Sequence, residues 1–126
     1  MGHPPDASVD ELLSAARTAT GDELRSLTYF TEEDVQQLYL RSDLSRTADL
    51  VGFAESERHG FHAQSLYADT QLGDYQFTVR VFENGYLTRV IDNGHGVWVT
   101  TDSMEIDRFE ELASALASIL GSFDPA

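Results

Sequence analysis

The chain has no cysteine and no lysine. Without thiols there is no disulfide framework, no thiolate nucleophile and no Cys-ligated metal or iron–sulfur cluster. Without lysine, and with no G-x-x-x-x-G-K motif, nucleotide hydrolysis through a phosphate-cradling P-loop is excluded. No G-x-S-x-G elbow is present to expose a serine nucleophile. Long apolar runs are missing too. Nothing approaches the roughly 18 residues that cross a bilayer, and Met1-Gly2-His3-Pro4-Pro5 lacks the basic and apolar stretches of a signal peptide. The expected location is cytoplasmic, away from membranes.

Positive charge is scarce: eight arginines face 22 carboxylates, for a net charge of −14. Such a body repels a duplex carrying about one negative charge per 1.7 Å, so nucleic acid is not an expected partner. Repulsion among the carboxylates is strong in dilute buffer, whereas at molar salt the Debye length falls to about 3 Å. The composition suits a salty cytosol, and residues 75–101 resemble in phrasing small acidic proteins of haloarchaea. Salt is therefore expected to raise the melting temperature between dilute buffer and molar KCl, followed by circular dichroism. A melting temperature indifferent to salt would remove the halophilic reading.

With 126 residues, 41% of them hydrophobic, the chain has material for one core. Residues 1–7 read as a disordered tail, 8–121 as a single α+β domain and 122–126 as a C-terminal tail. Ser8-Val9-Asp10-Glu11 has capping-box spacing, Val9, Leu12, Leu13 and Ala16 follow a helical stripe, and Gly21 is placed to end it. Within 24–41, Leu27-Thr28-Tyr29-Phe30 and Leu38-Tyr39-Leu40 read as two strands. Leu44, Ala48, Val51 and their neighbours predict a second helix over 43–57, stopped by Gly60 and followed by a loop over 61–73.

Residues 74–102 hold the strongest pattern. Asn84-Gly85 and Asn93-Gly94 each sit between alternating apolar runs, as type I′ hairpin turns require. If both are two-residue loops, Val81 lies opposite Thr88, Val79 opposite Val90, Val90 opposite Val97, Thr88 opposite Val99, and Arg80 opposite Arg89. One sheet face then carries Tyr75, Phe77, Val79, Val81, Tyr86, Val90, Val97 and Val99. The other carries Thr78, Arg80, Phe82, Leu87, Arg89, Ile91, Trp98 and Thr100, too apolar for a solvent face. Asp107-Arg108-Phe109-Glu110 opens a last helix with Phe109, Leu112, Leu116 and Ile119 along one stripe and Gly121 as its stop.

The resulting order, α-β-β-α-β-β-β-α, resembles the roadblock and longin families of the profilin-like group. The resemblance implies a five-stranded, mainly antiparallel sheet with helices on both faces, and a scaffolding role often exercised through dimers. No family motif is matched residue by residue, so no functional residue carries over.

Few residues read as catalytic. His59 and His62 have metal-ligand spacing, but Gly60 between them breaks the helix that would align them. His95 falls in a flexible turn, unsuited to a positioned base. Glu32-Glu33 and Glu110-Glu111 read as solvated faces, and Asp102 as a helix cap or a loose cation ligand. No cofactor and no metal are expected. The candidate binding surface is Arg80, Arg89 and Trp98 with Phe82, Leu87 and Ile91. Either Asp49, Glu55 or Glu57 of the middle helix neutralises the two arginines while Trp98 packs beneath a guanidinium, or the Arg–Trp–Arg group receives an acidic peptide, a carboxylate or a second subunit. The expected function is a non-enzymatic interaction or scaffold module whose partner is another protein or a second copy as a homodimer. The alternative is a PAS-like or profilin-like small-molecule sensor with a pocket between sheet and helix.

Overall fold

Alternation in 78–101 makes three strands, and the two runs in 24–40 make two more. In the computed structural model, which describes residues 6–44, 60–61, 71–105 and 107–125, they are β1 (Leu24–Phe30), β2 (Val35–Leu40), β3 (Thr78–Phe82), β4 (Gly85–Asp92) and β5 (His95–Thr101). They form one antiparallel sheet in the order β2-β1-β5-β4-β3. Helix α1 (Asp6–Thr20) precedes it and helix α2 (Asp107–Gly121) follows it. The α+β architecture expected from the sequence is the one found.

Both helices lie on the same face. Leu12 and Ala16 of α1 meet Leu112, Ala113, Leu116 and Leu120 of α2 over Leu27, Tyr29, Val90, Val97 and Val99 of the sheet, all buried. Edge-to-face contact of Tyr86 with Phe109, ring centroids 4.9 Å apart, ties β4 to α2. Leu120 rather than Ile119 completes the buried stripe, because a 3.6-residue period turns Ile119 partly outward. Helix α1 begins at Asp6, so Ser8 and Glu11 sit inside its first turns instead of capping it. The described residues of the opposite face gather Phe30, Leu87, Ile91 and Trp98, with Val35, Phe61 and Tyr75 packed against them.

Turn chemistry decides where the sequence-based register holds. At Asn93 and Gly94, φ is 60° and 82°, the positive pair a type I′ turn needs, and Val90 faces Val97 with Thr88 facing Val99 as expected. The first hairpin is different. Phe82 pairs with Gly85 across Glu83-Asn84, so Val81 faces Tyr86, Val79 faces Thr88, and Arg80 faces Leu87 rather than Arg89. Gly85 has no positive φ; its role is steric, since a β-carbon there would overlap the Thr101 carbonyl of β5. A slip of two residues preserves which face each side chain takes, so the face assignments of β3 and β4 survive while the Arg80–Arg89 pairing does not. Tyr75 lies before β3 and joins the Trp98 face, not the helix-covered one. Ser42 and Asp43 turn the chain after β2, closed by Leu44 N–H donating to the Arg41 carbonyl at 3.1 Å; the rest of the helix expected over 43–57 lies outside the described residues, as do His59 and His62. Gly60 and Phe61 are helical, so Gly60 is not the expected helix stop.

Candidate interaction surface

The second face is built around Trp98, on the central strand β5 and fully buried. Phe30 of β1 packs on it at 5.2 Å between ring centroids and meets Phe61 edge-on at 5.4 Å. Leu87 and Ile91 of β4 flank it. Arg89, between them on β4, is 6% exposed. A guanidinium that deep requires donors to be used, and its Nη2 donates to Thr78 Oγ1 at 2.9 Å and to Tyr75 Oη at 3.3 Å, with the Tyr75 ring centroid 5.8 Å from Cζ.

Four of the six residues singled out from the sequence, Leu87, Arg89, Ile91 and Trp98, are thus inside the protomer. Arg80 and Phe82 stay at the surface of β3, where Phe82 is 46% and Val81 74% exposed. Phe30, fully buried, and Tyr75, half-buried, complete the group, and the sequence does not assign them to it. Phe30 reaches the group through its pairing with Gly96 across β1 and β5, which no local spacing in the sequence signals.

The two sheet edges differ. Strand β2 is irregular: Leu38 is bulged out of the β1 register, and Arg17 of α1 lies over the Tyr39 ring at 4.7 Å. Bulges and covering side chains blunt an edge. Strand β3 pairs with β4 without a bulge, and its five residues, Thr-Val-Arg-Val-Phe, carry no carboxylate in a chain that has 22. Among the described residues it is the flat, apolar edge of the sheet.

Polar groups close the two ends of the sheet. At one end Arg41 donates to Asp102 at 2.7 Å and to Asp43 at 2.7 Å and reaches the Asp22 carbonyl at 3.1 Å, while Arg25 lies 3.6 Å from Asp102. Asp102 is therefore an anchor for arginines, not the loose cation ligand or cap read from the sequence. Hydrogen bonding to Arg41 holds the Asp43 carboxyl below the usual carboxylate range. At the other end His95 is buried, against the expectation of a flexible turn residue. Its Nε2 lies 2.6 Å from the Asp124 carbonyl oxygen and so must donate, which leaves Nδ1 to accept from the Tyr29 hydroxyl at 2.6 Å. Burial, and secondarily the Asp34 carboxylate, pushes the Tyr29 phenol above its ordinary value and keeps it a donor. With Asn93 Nδ2 donating to the Phe123 carbonyl at 2.8 Å, these bonds lay the residues after α2 back on the sheet.

A hollow of about 400 Å³ is lined by α1 residues Asp10, Leu13, Ser14, Arg17 and Thr18. No helix among the described residues is long and apolar enough to cross a membrane, and no described group of three or more His, Asp or Glu is placed to hold a metal ion.

Residues 10–121 match the family described as Domain of unknown function (DUF7522). None of the curated proteins matches the chain. Among solved structures, the gliding protein MglB from Thermus thermophilus is similar with a TM-score of 0.65 at 16% identity, over 94% of this chain and 93% of that one. A structure of MglB in a tetrameric arrangement gives 0.63 at 18% identity over 94% and 92% of the two chains. Myxococcus xanthus MglB gives 0.60 at 12% identity over 95% of each. These likenesses carry the fold, in agreement with the five-stranded antiparallel sheet and terminal helices read from the sequence. The chain belongs to the DUF7522 family and is built on the roadblock/longin-like fold that MglB also has.

Proposed function

We propose that this protein is a non-enzymatic interaction module that pairs with a second copy of itself along β3, adapted to high salt. The observation that carries this reading is the β3 edge, with Val81 and Phe82 exposed at the margin of the sheet. An edge strand without a bulge or a carboxylate can pair with another chain through its outward backbone groups, and a second β3 does so while covering both side chains. The strand carries no carboxylate, so two such edges bring no acidic side chains against each other. MglB, which has the same fold, is seen in a tetrameric arrangement, and this supports the association of copies. Arg80 and Phe82 then belong to the contact itself, while Leu87, Arg89, Ile91 and Trp98 support it from within.

Sedimentation in molar KCl is expected to show a concentration-dependent species of twice the 14.0 kDa chain mass. Val81→Lys is expected to weaken association more than tenfold, because a charge placed on an edge must be desolvated on pairing, and to leave the melting temperature of the monomer nearly unchanged. A wild-type monomer at every concentration would refute the reading.

A further inference from the structure

We propose that Arg89 is a positioning residue that couples the helical turn at Gly60 and Phe61 to the order of the β3 edge. The proposal rests on the edge-pairing reading for its functional consequence, but its physical content stands on contacts of Arg89 with Tyr75, Thr78 and Gly60. Thr78, the first residue of β3, faces Arg89 across the β3–β4 ladder. Arg89 Nη2 donates to Thr78 Oγ1 at 2.9 Å and to Tyr75 Oη at 3.3 Å. The Tyr75 hydroxyl shares a hydrogen bond of 2.8 Å with Thr78 Oγ1 and lies 3.2 Å from the Arg89 carbonyl oxygen. Three side chains thus pin the entry of a strand that has five residues and, among the described residues, one partner strand.

The other side of the same guanidinium bears on the helical turn. A β-carbon at Gly60 would overlap Nη1 and Cζ of Arg89, so the helix backbone rests directly on the planar group. Phe61, the next residue, packs edge-on against Phe30 within the Trp98 cluster. A shift of this turn must move Arg89 or lose contact with it, and movement of Arg89 withdraws the donors that hold Tyr75 and Thr78. A displaced turn therefore loosens β3 and with it the pairing of two copies. Lysine could not take the role of Arg89, because one ammonium lacks the planar fork that serves Thr78 and Tyr75 while lying flat beneath Gly60.

Amide hydrogen exchange on the full chain in molar KCl tests this, with Gly60→Ala, Tyr75→Phe and Thr78→Val. Each variant is expected to raise exchange of the β3 amides paired with β4 about tenfold, the loss associated with one or two hydrogen bonds, while β1 and β5 keep their protection. The effect of Gly60→Ala is decisive, because this residue is outside β3 and reaches it through Arg89. Unchanged β3 exchange in Gly60→Ala, or an equal rise in β1 and β5, would overturn the coupling. Should Gly60→Ala fail to fold, Phe61→Leu, which disturbs the same turn from outside β3, decides by the same criterion. Sedimentation of wild type separates the two ideas: a monomer removes edge pairing, whereas the exchange pattern alone judges the coupling.

Discussion

Replacing Trp98 with alanine is expected to cost about 3–5 kcal/mol, a large part of the roughly 5–15 kcal/mol that holds a domain folded. Trp98 is fully buried on the central strand, with Thr28 of β1 and Arg89 of β4 opposite it. The Phe30 ring lies on it, and Leu87 and Ile91 close its sides. Truncation leaves a cavity in the middle of the second face that strands hydrogen-bonded on both sides cannot collapse to fill. Urea unfolding followed by far-UV circular dichroism measures the loss, since Trp98 is the single tryptophan and its own fluorescence disappears with it. Trp98→Phe keeps an aromatic ring against Phe30 and is expected to lose less than half as much. A loss below about 0.5 kcal/mol for the alanine variant would mean that Trp98 behaves as a surface residue, contrary to its burial.

Such a variant separates two roles that the sequence could not. Alternation showed that Trp98, Leu87, Ile91 and Arg89 share a face, because the period of a strand is two and parity survives a register slip of two residues. Parity does not show what covers the face. Burial of that side depends on Phe61 and Tyr75, which come from segments without periodicity, and on Phe30 from a strand separated from β5 by more than sixty residues. The arginine pair read from the sequence failed for a narrower reason. Asn84-Gly85 has the composition of a type I′ turn, but Gly85 is required by the Thr101 carbonyl pressed against it, and the turn forms one residue earlier. Asn93-Gly94, where the same composition does serve positive φ, was legible.

His95 illustrates a second limit. Sequence places it beside a glycine on each side at a hairpin, which reads as mobility. The structure fixes it by bonds to Tyr29 and to the Asp124 carbonyl, one partner 66 residues earlier and the other 29 later. Neither lies within the window where spacing carries information. Arg41 is similar, since its bond to Asp102 spans 61 residues. The sheet and its terminal helices were readable because local period dictates them. The groups that close its ends were not, because only the folded topology brings them together.

Gly96 links these threads and gives the second large effect. It lies on β5 opposite Phe30 of β1 and Ile91 of β4, and a β-carbon at this position would run into the Phe30 ring. The ring occupies the space a side chain would take, and from there it reaches both Trp98 and Phe61. Gly96→Val is therefore expected to destabilise by about 2–3 kcal/mol despite the better strand propensity of valine, because Phe30 must leave its position and strain spreads to the Trp98 cluster. Phe30→Ala alone is expected to cost about 3–5 kcal/mol through the cavity it opens. Combining the two places the valine methyls in part of that cavity, so the double variant is expected to be more stable than the sum of the single losses by about 1 kcal/mol or more. Urea midpoints for the four proteins of the cycle measure this. Strict additivity would show that the ring and the glycine do not share one space and would remove the steric account of why β5 has no side chain there.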